Sequence, residues 1–313
     1  MLEELKVFSG TANPRLAQQV CNYLNLPLGA AQIFKFSNDN TFVQYQENIR
    51  QQDIFLIQPF GFPVNDSIME LLIMVDAAKR ASAGRITIVV PYFSYGRTDK
   101  KDQPRVPITA RLIADLVTVA GADRLLTIDL HAGQIQGFFN IPVDELSALP
   151  LLSNYFLNKQ LIDPVVVAVD IGISKRARDM AERIGASLAI VEKRRIGNGQ
   201  QAESLNVIGD VFGKTAITFD DETDTGGSLA SAVNALRIAG AKEIFSCCTH
   251  GVFSGTGVER VAETGVQEFI VTDTLPQTGA STNPSIKVLS VASLLGEAIR
   301  RIHSGLSVGE MFK

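Results

Sequence analysis

The stretch Phe219-Asp220-Asp221-Glu222-Thr223-Asp224-Thr225-Gly226-Gly227-Ser228 sets paired carboxylates beside a small-residue turn, with a helical pattern following from Leu229. Glycines and small hydroxyls at a helix start turn several backbone N–H groups toward one point, and the helix dipole adds partial positive charge there. Asp224, Thr225, Gly226, Gly227 and Ser228 thus form an anion cradle suited to a phosphate monoester. Asp220 and Asp221 beside it suit sugar hydroxyls, because an ionised carboxylate accepts hydrogen bonds and a vicinal diol donates them. Phosphate and diol together point to a pentose 5-phosphate. An ordinary strand-loop-helix turn with an Asp cap accounts for the same residues.

Five more segments could carry chemistry, most of them charged groups placed directly after apolar runs, where an unpaired charge loses hydration. Pro91 to Lys101 sets Tyr92, Phe93 and Tyr95 beside Arg97, Thr98, Lys100 and Lys101, which suits a stacked base and a polyphosphate, or else a solvated basic loop. Asp129 and His131 alternate at a strand end, so the pleat turns both to one side; together they can hold a divalent metal, or His131 is a hydrogen-bonded structural histidine. Asp170 ends a wholly apolar run and is either a contact to Mg²⁺-bound water or ribose, or a helix cap toward Ser174. Glu192-Lys193-Arg194-Arg195 precedes a polar stretch with Gly197 and Gly199. Its cations suit a flap that closes over polyphosphate, or a solvated surface. Phe34 to Asn40 lines a nucleotide pocket or makes a plain turn.

The elements that must position these residues alternate. Strand-like runs at Ile54–Gln58, Arg85–Val90, Leu125–Asp129, Val165–Asp170, Ser187–Val191, Thr215–Phe219 and Ile244–Cys248 are separated by helical patterns, the pattern of βα units feeding parallel sheets. The last helix spans Val291 to Ile302. The 313 residues suffice for two domains, with a boundary between Pro142 and Leu149. A hydrophobic share of 46% and a charged share of 20% fit a soluble globular chain, and the net charge of -4 argues against nucleic acid as partner. The acidic start, Met1 to Lys6, lacks the basic region of a signal peptide, and no apolar run approaches a membrane span. Cys21, Cys247 and Cys248 read as buried thiols in a reducing cytoplasm.

Taken together, the chain resembles ribose-phosphate pyrophosphokinase, also called PRPP synthase. The resemblance rests on Asn65 to Ala83, Arg105 to Ala110, Asp129-Leu130-His131-Ala132, Gln134 to Phe139, Lys193-Arg194-Arg195, Asp220-Asp221, Asp224 to Gly227, His250 to Gly255 and Glu297 to Ile302. It implies an α/β fold of two tandem phosphoribosyltransferase-type (Rossmann-like) domains with mostly parallel sheets. These are residues 1–146, on the ATP and metal side, and residues 147–294, on the ribose 5-phosphate side, with the terminal helix, 295–313, returning to the first domain. It further implies transfer of diphosphate from MgATP to the C1 hydroxyl of ribose 5-phosphate, giving PRPP and AMP. Carried over by position, Asp220, Asp221 and Asp224 to Ser228 bind ribose 5-phosphate. Arg97, Thr98, Asn38, Asp39 and Asn40 bind ATP, His131 and Asp170 bind Mg²⁺, and Lys193 and Arg195 are the catalytic cations of a flexible loop, 193–206. A homo-oligomer, a hexamer built from dimers, is implied as well.

The sequence also departs from that pattern. Phe36-Ser37-Asn38-Asp39-Asn40 stands where the family usually has Phe-Ser-Asp-Gly-Glu, Thr98 replaces the usual Gln, and Ser228 the usual Thr. An amide both donates and accepts, so adenine recognition can survive while the donor nucleotide stays open. Two other readings share the opening motif: a catalytically weak regulatory subunit of the same fold, and a phosphoribosyltransferase that consumes PRPP.

Overall fold

The computed structural model describes residues 4–195 and 203–312; the side chains of residues 193–195, 203, 204 and 281 fall outside that description. The chain divides into two units, Met1–Leu146 with Thr274–Pro276 and Ser290–Lys313, and Ser147–Asp273 with Gln277–Leu289.

In the first unit, β1 (Leu5–Ser9) leads to α1 (Pro14–Leu24), whose start is fixed by Pro14 and by the Asn13 side chain, which accepts the Leu16 N–H at 3.3 Å. A two-stranded antiparallel hairpin follows, β2 (Ala31–Lys35) and β3 (Thr41–Tyr45). The chain then runs through β4 (Asp53–Ile57), α2 (Val64–Arg80), β5 (Arg85–Val90), α3 (Thr109–Ala120), β6 (Arg124–Ile128), a 3₁₀ turn at Gly133–Phe138, and β7 (Val143–Leu146). The sheet order is β1-β4-β5-β6-β7, parallel throughout. All of β4 and most of β5 are buried, which is why both read as unbroken apolar runs rather than alternating ones.

The second unit contains α4 (Leu149–Lys159), β8 (Pro164–Ala168), α5 (Ser174–Ile184), β9 (Ser187–Arg195), β10 (Glu203–Ile208), β11 (Thr215–Thr223), α6 (Gly227–Ile238), β12 (Glu243–Gly251), α7 (Gly257–Glu263), β13 (Phe269–Thr272) and β14 (Ile286–Leu289). Its sheet order is β10-β9-β8-β11-β12-β13-β14, parallel except for β9 with β10. From β8 the chain crosses by α5 to β9 on one side. From β11 it crosses by α6 to β12 on the other side. The order in which strands are laid down therefore reverses between the parallel neighbours β8 and β11, and the crevice beyond their C-terminal ends is where open α/β sheets bind ligands. Val165, Val166 and Val167 on β8 are fully buried and anchor the sheet there, each worth about 1.5–3 kcal/mol of burial.

The last helix, α8 (Ala292–Ser304), belongs to the first unit. It packs against α1 so closely that a Cβ on Gly296 would lie 2.4 Å from the Tyr23 ring. Asp53 Oδ2 at the start of β4 meets His303 Nδ1 at 2.8 Å, and the Arg85 guanidinium binds Asp53 through two hydrogen bonds, 2.8 and 2.6 Å. Arg85 also donates to the Ile302 carbonyl at 3.1 Å, so one buried carboxylate ties α8 to the sheet. Among the described residues no helix is long and apolar enough to cross a membrane.

Some elements depart from expectation. β11 runs on past Phe219 to Thr223, so Asp220 and Asp221 lie within the strand rather than after it. Their neighbour β12 is equally long, and its ladder pairs Asp220 with Cys248 and Glu222 with His250. The polar stretch 193–206 is not a loop throughout: β9 reaches Arg195 and β10 begins at Glu203, with Arg195 paired to Glu203 across the hairpin. β7 sits inside the segment read as a boundary. It is four residues long and only one of them is buried, too little to register as a periodic run.

Candidate active site

In the second unit, α6 begins at Gly227 with Gly226 as its cap in the left-handed region, φ 74°, a conformation that favours glycine. The first N–H groups of any helix lack partners within it, and here they follow Asp224 and Thr225 at the end of β11. The turn is braced from α7. Arg260 Nη1 donates to the Thr225 carbonyl at 2.9 Å, and Gly257 lies so close that a Cβ there would sit 2.6 Å from the Asp224 carbonyl oxygen. Oδ1 of Asp224 is buried and meets no hydrogen-bond donor among the described residues. A buried acceptor without a donor is costly, and a ligand hydroxyl relieves it. Thr225 and Ser228 are exposed at the same turn.

Asp220 and Asp221 continue this site along β11. Each accepts the following residue's N–H at 2.9 Å, Asp221 to Asp220 and Glu222 to Asp221. Asp221 is buried and Asp220 half-buried. The Asp220 carboxyl is held well above the usual carboxylate range. Burial is the first cause, followed by the charge of Asp221, a hydrogen bond to its side chain, and the charge of Asp170. Asp170 thus belongs to the same cluster. It lies exposed, two residues beyond β8, and its Oδ1 accepts the Ile173 N–H at 3.1 Å. The helix-side hydrogen bond and the charged cluster coexist, because a carboxylate has several lone pairs to give.

A raised carboxyl binds its proton more tightly in the folded state, so folding stability falls as pH rises from the unfolded value, about 3.9, toward the folded one. Asp220→Asn removes that loss. It is expected to melt above wild type at pH 8, with the gap closing as the pH approaches about 4 in thermal unfolding followed without ligands.

In the first unit, the loops after the neighbouring strands β5 and β6 carry the other candidates. Tyr95 has φ 63°, and its hydroxyl donates to Asn65 Oδ1 on α2 at 2.7 Å. Arg97 is exposed; Thr98 is half-buried, and its N–H and hydroxyl both bond the Tyr95 carbonyl, at 3.0 and 2.8 Å. β6 ends at Ile128, and Asp129 turns into the left-handed region, φ 42°. The pleat argument for Asp129 and His131 therefore fails. Asp129 is buried and His131 exposed, because the strand has ended before either residue.

Asn38, Asp39 and Asn40 form the exposed tip of the β2–β3 hairpin, closed by Phe36 N–H to the Asn40 carbonyl at 2.9 Å. Asp39 takes φ 67°, and Asp tolerates the left-handed region better than most residues where glycine would be usual. Lys35 fixes it, bonding Asp39 at 2.8 Å and Asp66 on the first turn of α2 at 2.6 Å. Hairpin and Arg97 loop therefore both anchor on that turn, at Asp66 and Asn65. The cluster Phe34, Phe36 and Phe42 stands beside the tip, with centroids 4.9–5.8 Å apart.

The side chains of Lys193 and Arg195, and residues 196–202 of the expected flexible loop, lie outside the described residues. Among the described residues no cluster of three or more His, Cys, Asp or Glu is arranged to hold a metal ion. Sequence reasoning singled out neither Gly257 nor Arg260, which act on the cradle through α7, an element too short to leave a helical period.

The first unit carries the N-terminal domain of ribose phosphate pyrophosphokinase, matched over residues 5–121, and residues 197–313 match the phosphoribosyl synthetase-associated domain. The chain is 50% identical to the ribose-phosphate pyrophosphokinase of Thermotoga maritima, over 99% of this chain and 98% of that one. It is 49% identical to that of Clostridium acetobutylicum, over the same shares. The crystal structure of phosphoribosylpyrophosphate synthetase from Mycobacterium smegmatis superposes with a TM-score of 0.92 at 44% identity, covering 97% of this chain and 100% of that one. With a match of this extent over both units, the chain belongs to the ribose-phosphate pyrophosphokinase family.

Proposed function

We infer that the chain transfers the β,γ-diphosphate of ATP to the C1 hydroxyl of ribose 5-phosphate, giving PRPP and AMP. The observation that carries this reading is the turn Asp224–Ser228, with its donorless Asp224 oxygen, set beside the Asp220–Asp221 pair where the strand order switches between β8 and β11. The 5-phosphate takes the N–H groups at the start of α6, with Thr225 and Ser228 as hydroxyl donors. Asp220 and Asp221 accept from the ribose hydroxyls.

The nucleotide falls to the first unit. Arg97 meets polyphosphate, Thr98 holds the backbone of that loop, and Asn38 to Asn40 with the neighbouring phenylalanines offer amides and aromatic faces to a base. The sugar oxygen attacks the β-phosphorus in line as the bridging oxygen to AMP departs, a displacement that needs positioning and charge neutralisation rather than a covalent intermediate. Lys193 and Arg195 supply that charge and exclude water.

Of the two metal positions carried over from the family, the exposed Asp170 carboxylate of the second unit suits a hard cation such as Mg²⁺, and the exposed His131 imidazole of the first unit suits one through bound water. A magnesium ion held by such oxygen and nitrogen donors would supply charge neutralisation to the phosphates. The chain works in the cytoplasm as a homo-oligomer, a hexamer by family likeness. Leu112, Leu116 and Val119, exposed along one face of α3, support an assembled state.

The weak regulatory subunit is the second reading, favoured by Asn38, Asn40 and Thr98. Incubation with ATP and Mg²⁺, with and without ribose 5-phosphate, separates the two. Sugar-dependent formation of AMP supports the enzyme. Its absence, with ribose 5-phosphate still bound, supports the subunit.

A further inference from the structure

We propose that Asp99 and Gln134 are positioning residues, a clamp that fixes His131 against the Arg97–Thr98 loop; the role rests on reading this region as the nucleotide side. Gln134 Nε2 donates to Asp99 Oδ2 at 2.6 Å, and Asp99 is buried, 8% exposed, directly after Thr98. Gln134 lies three residues past His131, in the 3₁₀ turn that follows β6. The two loops also touch behind the clamp, where a Cβ on Gly96 would lie 3.2 Å from the His131 Cβ.

The far side of the same turn is pinned separately. Glu145 on β7 accepts the Leu130 N–H at 2.9 Å and Gln136 Nε2 at 2.6 Å. His131 is thus held between two carboxylate–amide pairs, one reaching the Arg97 loop and one reaching the sheet. A short 3₁₀ helix is weak in itself, so its setting depends on such ties. The Asp99–Gln134 pair joins the turn after His131 to the loop that carries Arg97 and Thr98.

The test uses the whole chain. Gln134→Leu removes the donor and is expected to raise KM for ATP about tenfold, the scale of one hydrogen bond to an ionised group, and to leave KM for ribose 5-phosphate unchanged. The chain has three histidines, His131, His250 and His303, so imidazole NMR of the ligand-free protein reads the clamp directly. The His131 ring signals move in Gln134→Leu while those of His250 and His303 stay. Asp99→Ala reproduces both effects; Asp99→Asn keeps an acceptor oxygen and restores both toward wild type. Unmoved His131 signals with unchanged KM for ATP overturn the clamp, as does an Asp99→Asn protein as impaired as Asp99→Ala. A wild-type protein that forms no AMP overturns the functional reading alone, and the NMR comparison then decides the clamp by itself.

Discussion

Lys193→Ala is expected to lower turnover by at least about two orders of magnitude, the cost of losing one main transition-state contact to developing charge. The charge on the migrating diphosphoryl group and on departing AMP is redistributed during the in-line displacement. A cation that meets it only then accelerates the step without tightening the ground state. Binding of ribose 5-phosphate should therefore survive, because its cradle is built by β11, α6 and α7, whereas Lys193 lies on β9, two residues before that strand ends. Lys193→Arg keeps the charge but not the compact ammonium, so it should recover only part of the loss. Steady-state turnover with separate measurement of ribose 5-phosphate affinity checks this, and near wild-type turnover of Lys193→Ala would show that the catalytic assignment is wrong.

Asp53→Ala is expected to destabilise the first unit by about 3–5 kcal/mol, because it leaves the Arg85 guanidinium without its buried counter-charge. Asp53 is fully buried and receives Arg85 through two bonds and His303 through one, all at 2.8 Å or less. The lost contacts join β4 and β5 to the C-terminal end of α8. Faster amide exchange should accordingly appear in α8 before it appears in α2 or α3. Asp53→Asn keeps an acceptor but no charge and should fall between the two. Equilibrium unfolding in urea with hydrogen exchange on α8 measures both effects; a loss below about 1 kcal/mol would place the stabilisation elsewhere.

The parallel sheets were legible because their strands are buried on both faces and write themselves as apolar runs, Val165 to Val169 above all. Strands only half covered were not. β2 and β3 carry no fully buried residue, so the hairpin whose tip holds Asn38 to Asn40 was visible only as polar residues between apolar flanks. The cradle was legible for a different reason, since Asp-Thr-Gly-Gly-Ser before a helix is a local signal that needs no distant partner. What the sequence could not express is support from afar. Arg260 reaches Thr225 across 35 positions, and Gln134 reaches Asp99 across the same interval. The pleat argument for Asp129 and His131 failed at a single dihedral, the left-handed turn at Asp129, which no periodicity records.

The central claim is that diphosphate, not a single phosphoryl group, moves from the nucleotide to the sugar. Phosphorus NMR of the protein with ATP, Mg²⁺ and ribose 5-phosphate follows every phosphate in the mixture. The expected result is AMP and PRPP appearing together in equal amounts as ATP declines. ADP as the nucleotide product, or no consumption of ATP while ribose 5-phosphate remains bound, would contradict it.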